Sequence, residues 1–537
     1  MKILKPTFLL IYGAIIFNSC GSANVIPTPI ENTNNLPLKV SEISEQEKKV
    51  WSHLDLIKDT IPGMSVEKAY SEIIKNRKGE TVIVAVIDSG IDIEHEDLAG
   101  VIWTNEDEVP NNGKDDDGNG YVDDIHGWNF LGDGYDEQVE YVRILAKGDL
   151  DNPDYARAQR EYIEERNKYT EYKSNYEQII QSLNYADETI SKHLEKKEYS
   201  IEEINAIETE NRQLQQSVYI INYLVDDLEL ETVTNAKNTL KDDLEDINNW
   251  LDVRLNKSFK GRKTGDDPDD LSQKFYGNGN IMPIKKSESH GTHVAGIIAA
   301  ERKNGIGIDG VANNVKIMSL RAVSNADEYD KDIALAIRYA VDNGAKIING
   351  SFGKYYSPHP EWVKDAIIYA GKHDVLFVHG SGNESIDLDK KNNYPNDQFD
   401  NGSEISNNFI NVGSIESKYG SGLVSAFSNY GKLNVDVMAP GGEIYSTMPK
   451  NEYKAQSGTS MSAPSVSGVA ALIRSYYPKL TASQVKHLLM DSGVSINLKV
   501  IVGGNTNDIR PFSELSKSGK IVNAYNALIM ADQISKN

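Results

Sequence analysis

Three residues far apart in the 537-residue chain stand in settings suited to nucleophilic chemistry: Asp88 in VIDSG, His290 in HGTHVAG and Ser460 in GTSMSAP. A serine hydroxyl is a poor nucleophile at neutral pH. It needs an imidazole within hydrogen-bond reach to take its proton, and a buried carboxylate to fix the imidazole tautomer and stabilise imidazolium. The order Asp, His, Ser along the chain separates one lineage of such triads from the others. Taken singly, the aspartate reads as a turn former and the serine as a helix cap. Together, in order, they point to acyl transfer.

The elements that must position them can be read locally. Asp88 ends the β-branched run TVIVAVID, which predicts a fully buried parallel strand with the carboxylate at its carboxyl end, where open α/β sheets place their sites. His290 and Ser460 open small-residue runs, GTHVAGIIAA and MSAPSVSGVAALI, that predict helices packed closely on a sheet. Free N–H groups at such helix starts favour the negative charge that develops beside Ser460. His293 reads as a packed helix residue. Further strands are expected at 315–320, 346–349, 376–378, 410–412 and 435–438. Helices are expected at 330–343, 361–371, 460–476 and 523–531. This alternation predicts an α/β fold, a mostly parallel sheet with helices on both faces.

The three strings closely resemble those of the subtilase family of serine proteases, and the resemblance covers residues 51 to about 134 and 290 to the C-terminus. It implies a subtilisin-like fold, hydrolysis of protein or peptide substrates, and further roles. Asn383 in HGSGN would supply a side-chain N–H to the oxyanion, beside the backbone N–H of Ser460. Ser351, Phe352 and Gly353 in NGSFG would line the site of a bound peptide. Asp97 in HEDL and Asn304 in NGIG would contribute to a structural calcium site. The chain departs from the family at Asn313, where proline is usual, and the stretch before Thr81 resembles the mature enzyme's lead-in, so no chaperone-like propeptide is expected.

Asp88 and His290 lie 202 positions apart, where subtilisins have a few tens of residues. From 149 to 260 there is no glycine and one proline, Pro153, a strongly helical composition. Tyr162, Tyr169, Tyr176, Leu183 and Ile190 recur at heptad spacing, and a capping box of Ser200 and Glu203 opens a second seam running from Ile204 to Leu228, in which Asn211 would fix register. A third runs from Leu240 to Leu255. Single apolar stripes must be buried, so the expectation is an inserted coiled-coil bundle of two or three antiparallel helices, the first about 65 Å long. Its role is open between a spacer and a docking or gating device for a protein partner.

Upstream lies NNGKDDDGNGYVDDIHGWNF. Asp115, Asp117, Asn119, the Tyr121 carbonyl and Asp123, with Gly120 at the turn, match the first positions of a helix-loop-helix Ca2+ loop, although His126 stands where a bidentate glutamate belongs. Ca2+ is the expected structural cofactor.

The formal charge of -24 argues against binding nucleic acid through its phosphates, so no nucleic-acid partner is expected. Lys2 and Lys5 precede the apolar run FLLIYGAIIF, the shape of a signal peptide, and Cys20, the only cysteine, follows it as in a bacterial lipoprotein signal. Export and attachment to a membrane through lipid on Cys20 are expected, with 21–36 a flexible tether. The expected organisation is a signal peptide at 1–19, tether and lead-in at 20–50, catalytic domain at 51–134 and 276–537, and the helical insertion at 135–275. The function expected is an exported serine endopeptidase. The alternative is a surface interaction protein whose insertion docks a partner and whose protease domain is latent or serves one maturation substrate.

Overall fold

The computed structural model describes residues 27–30, 39, 42–228, 230–285, 287–399 and 402–536. Its strands are β1 (Val82–Asp88), β2 (Gly127–Asn129), β3 (Val315–Arg321), β4 (Ile347–Gly350), β5 (Leu376–Gly380), β6 (Phe409–Ile415), β7 (Val437–Pro440), β8 (Ile444–Met448), β9 (Glu452–Gln456), β10 (Val494–Ser495), β11 (Lys499–Val502), β12 (Asn505–Pro511) and β13 (Lys520–Ile521). Nine of them form one sheet in the order β10-β13-β7-β6-β5-β4-β1-β3-β2. Every pair in it is parallel except β10 with β13. The other four make two hairpins, β8 with β9 and β11 with β12.

The helices are α1 (Glu45–Val50), α2 (Val66–Ala69), α3 (Glu140–Lys147), α4 (Tyr155–Leu194), α5 (Ile201–Asn205), α6 (Arg212–Asp227), α7 (Val233–Asn249), α8 (His290–Ala299), α9 (Asp330–Asp342), α10 (Pro360–Lys372), α11 (Thr459–Tyr476), α12 (Ala482–Ser492) and α13 (Ala524–Ser535). Alternate residues of β1 feed two cores. Val84 and Val86 pack with Val294 of α8 and Val466 of α11, whereas Ala85 and Ile87 pack with Ile333 of α9 and Val363 of α10. The sheet is therefore covered on both faces, which is why its central strands are apolar throughout rather than alternating. The expected strands and helices form within a few residues of their predicted bounds. The short β2, α12 and the two hairpins carry too little periodicity to have been foreseen.

The segment expected to be inserted is helical over α3 to α7, but its seams are divided. α4 is a single helix of 40 residues, about 60 Å long at 1.5 Å per residue. Its stripe serves two separate cores. Tyr162 and Tyr169 pack near the catalytic body with Tyr141, Trp250 and Tyr356, while Leu183, Ala186 and Ile190 pack with Ile204, Leu214, Ile221 and Leu240 at the far end. The capping box at Ser200 and Glu203 forms. Asn211 is a correction: it is the N-cap of α6, accepting from the N–H groups of Gln213 and Leu214, because the chain turns between Asn205 and Arg212. The 21–36 tether also needs correcting at one point. Ile30 is buried, and its N–H and C=O pair with the Asn526 side chain at 2.8 and 3.0 Å. Cys20 and the apolar leader lie outside the described residues.

Because the distal core contains no residue of the catalytic body, Ile190→Ala should destabilise the bundle by about 2–5 kcal/mol. Hydrogen exchange should quicken in α4, α6 and α7 and stay unchanged in β1. Equal quickening in β1 would show that the two bodies unfold as one.

Candidate active site

Asp88 is 2% exposed at the carboxyl end of β1. Both of its oxygens lie 2.9 Å from Nδ1 of His290, the first residue of α8. Close approach of helix to strand depends on the next residue. A Cβ on Gly291 would fall 2.3 Å from the Gly90 carbonyl oxygen and 3.1 Å from the Asp88 Cβ. With Nδ1–H directed at the carboxylate, Nε2 carries the lone pair, the tautomer a general base requires. Desolvation acts to lower the imidazole pKa, but the Asp88 charge and hydrogen bond outweigh it and raise the pKa above 6.5. His293 behaves as the sequence predicts. It is buried, holds the Lys454 carbonyl at 3.0 Å, and burial lowers its pKa to about 4.

Ser460 is the second residue of α11. Its hydroxyl donates to the Ser351 carbonyl at 3.3 Å, and no hydrogen bond among the described residues joins it to His290. Pro464 lacks an N–H, so the Ser460 carbonyl four residues earlier loses its helical donor. The Ser351 hydroxyl replaces that donor at 2.9 Å. Ser351 is in turn held by Asn349 Nδ2 at 2.9 Å, and Asn349 Oδ1 accepts from Ser467 of α11 at 2.9 Å. The expected peptide-lining segment is thus tied by its side chain to α11, the helix that carries Ser460. Phe352 is buried behind it and Gly353 is exposed.

Asn383 sits across from Ser460. Its Oδ1 accepts from the N–H and the hydroxyl of Thr459, at 2.9 and 3.1 Å, which fixes the amide with Nδ2 turned the other way. A Cβ on Gly458 would lie 3.5 Å from that Nδ2 and 3.6 Å from the Ser460 backbone nitrogen. The Asn383 amide and the Ser460 N–H therefore both lie close to Gly458, on the pocket that Ser460 lines. The adjoining pocket, about 90 Å³, is bounded by Ser351, Gly353, Tyr355, Asn383, Glu384 and Ser460.

Two residues that hold this site escaped the sequence reading. Arg321, at the end of β3, and Glu288 are both fully buried, with the guanidinium Nη2 2.8 Å from Glu288 Oε2. The same guanidinium donates to the carbonyls of Ser89, Gly132 and Gly134 and to Asn129 Oδ1. Ser89 follows Asp88, and Glu288 stands two positions before His290. No local spacing marks this pair; only the sheet brings it together.

The acidic loop gathers a different set from the one expected. Carboxylate oxygens of Glu108, Asp115 and Asp117 lie within 4.8 Å of one another. Glu108 is 6% exposed, and its Oε2 is buried without a hydrogen-bond partner among the described residues. Asn119 stays beside the cluster through Asp117 and Asp124, and the Tyr121 ring packs against Trp128 and Tyr339. Asp123 is not gathered, because its carboxylate caps the N–H groups of Asn112 and Gly113. The set fits a hard cation, since an unpaired buried carboxylate oxygen facing two more carboxylates is costly without one. Asp97 and Asn304 meet directly, Nδ2 to Oδ1 at 2.6 Å, while Asp97 Oδ2 accepts from the Ile308 N–H.

A carboxylate and imidazole paired at the carboxyl edge of a parallel sheet, and a serine at a helix N-terminus, are the group types that acyl transfer through serine uses. Residues 79–511 match the model of the subtilase family, and the chain belongs to that family. It is 37% identical over 241 residues to the thermophilic serine proteinase of Bacillus sp. (strain AK1), covering 45% of this chain and 52% of that protein. Subtilisin DY of Bacillus licheniformis is 35% identical over 210 residues, 38% of this chain and 71% of its own. The cell wall-associated protease of Bacillus subtilis (strain 168) is 35% identical over 237 residues, 44% of this chain and 24% of its own. The chain therefore spans about half the length, or less, of some relatives it matches.

Glu288→Ala strands a buried guanidinium and should cost about 3–5 kcal/mol of stability in denaturant unfolding. A loss below about 1 kcal/mol would show that Arg321 finds solvent once its partner is gone.

Proposed function

We propose that the chain is an exported serine endopeptidase that cleaves protein or peptide substrates through an acyl-enzyme. Ser460 Oγ attacks the scissile carbonyl, His290 Nε2 takes its proton and returns it to the leaving amine, and Asp88 orients the imidazole. Asn383 Nδ2 and the Ser460 N–H receive the oxyanion, each such donor being worth roughly 3–4 kcal/mol in the transition state. The observation that carries this reading is the Asp88–His290 pair at 2.9 Å. Proton transfer requires the Ser460 hydroxyl to exchange the Ser351 carbonyl for the imidazole; such bonds tighten when substrate binds. Family membership and relatives named as serine proteinases support the same reading. Export, and lipid on Cys20 as the membrane anchor, rest on the N-terminal sequence alone. No described helix is long and apolar enough to cross a membrane.

The test is the rate at which phenylmethylsulfonyl fluoride labels Ser460. Since only the unprotonated imidazole accepts the proton, and Asp88 raises its pKa, the rate should climb with pH with a midpoint above 6.5. Labelling and casein hydrolysis should both vanish in Ser460→Ala. Retained hydrolysis in that variant would overturn the assignment.

We further propose that the acidic loop holds a structural Ca2+ with Glu108, Asp115 and Asp117 as carboxylate ligands, and that the ion takes no part in hydrolysis. Support comes from the unpartnered Glu108 oxygen. Chelation should lower the melting temperature by several degrees, and Glu108→Gln should abolish that response. An identical response in Glu108→Gln would place the cation elsewhere.

A further inference from the structure

The wall of the pocket beside Ser460 does not end within the catalytic body. Gly353 is followed by Lys354, Tyr355 and Tyr356, and the insertion holds each of them. Lys354 is 3% exposed, with Nζ 2.9 Å from Glu140 Oε2 at the start of α3 and 3.0 Å from Asp330 Oδ1 at the start of α9. The Tyr355 carbonyl accepts from Arg157 of α4. Tyr356 is 2% exposed; its hydroxyl donates to Glu161 Oε2 of α4 at 2.6 Å, and the Arg157 guanidinium lies over its ring at 3.7 Å. Its ring belongs to the same apolar core as Val142, Leu145 and Leu255. Three residues after the segment that contacts Ser460, the chain is part of the insertion's own core.

The loop on the other side of Asp88 is held as well. β4, β1 and β3 are neighbours in the sheet, so the loops leaving β4 and β3 flank the carboxylate. After β3, the Asn325 N–H donates to the Tyr135 carbonyl at 3.0 Å, and Asn325 Oδ1 accepts from the Glu137 N–H at 2.9 Å. Asp327 Oδ2 accepts from the Glu140 N–H at 2.7 Å. Glu140 is also paired with Arg143 at 2.5 Å. A buried carboxylate between two buried cations resists separation, because removing any member leaves an uncompensated charge.

We propose that the base of the helical insertion is a second support of the substrate groove, with Glu140 and Glu161 acting through Lys354 and Tyr356 as positioning residues for 351–356. The groove role rests on the proteolytic reading above. A peptide lying along this wall draws binding energy from it in ground and transition state alike, so a looser wall weakens binding without disturbing the groups that act on the scissile bond. The bundle beyond this joint packs on its own core and is not needed for that support.

The full chain is compared with Glu161→Ala, with Glu161→Gln, which keeps an acceptor for the tyrosine hydroxyl, and with Glu140→Gln. Three quantities are read: hydrogen exchange at 354–356, kcat and KM on a peptide long enough to fill the groove, and the labelling rate of Ser460. Glu161→Ala and Glu140→Gln should speed exchange there about tenfold. They should raise KM about fivefold, with kcat and labelling within about twofold. Glu161→Gln should restore both exchange and KM. Unchanged exchange and KM in Glu161→Ala would overturn the proposal even if Glu140→Gln failed to fold. So would an equal loss of kcat, labelling and thermal stability, which marks a merely structural role. A wild-type chain that is never labelled, with exchange still responding, would overturn the proteolytic reading and leave the mechanical coupling intact.

Discussion

Arg321 is fully buried, and its guanidinium is shared among one carboxylate, one side-chain amide and three backbone carbonyls. A cation taken out of water is tolerable only when each N–H finds an acceptor and the charge finds a counterion. The acceptors here are the residue after Asp88, the residue two before His290, and the strand from which the chain departs into the insertion. Satisfying one buried charge therefore fixes three chain segments that lie far apart in sequence. The Asp88–His290 distance is a consequence of that arrangement as much as of their own hydrogen bond.

Ser460, the proposed nucleophile, is fixed from the other side by a different device. Pro464 takes a donor away from α11, and the vacant Ser460 carbonyl is met by Ser351, which Asn349 and Ser467 hold in turn. Gly291 then removes the side chain that would keep helix from strand. Such preorganisation is what acyl transfer demands, since donors already in place need no rearrangement as charge develops. The hydroxyl alone is left with a single long hydrogen bond, and it is the group that has to move.

Much of this was legible before any coordinates. The α/β alternation and the helix starts at His290 and Ser460 are carried by short contiguous strings whose local pattern decides their structure. The helices α4, α6 and α7 announced themselves through heptads and the absence of glycine. What the pattern could not separate is a seam position from a cap: Asn211 falls on the heptad yet ends a turn, because heptad spacing continues across a break of the right length. Nor could it show that one stripe on α4 would serve two cores. Arg321, Glu288 and Glu108 were missed for a common reason. Each is a buried charged residue, and burial of that kind leaves no periodic trace. Asp123 was misplaced because its carboxylate was claimed by two nearer N–H groups in the same loop.

The central claim is that Ser460, His290 and Asp88 converge with two oxyanion donors on one reacting atom. A crystal structure of the chain after reaction with phenylmethylsulfonyl fluoride tests it most directly. The account predicts a sulfonyl group on Ser460 Oγ, one sulfonyl oxygen accepting from both Asn383 Nδ2 and the Ser460 N–H, and His290 Nε2 turned toward the Oγ. An adduct on another residue, or one on Ser460 whose oxygens point away from Asn383 with His290 remote, would contradict it.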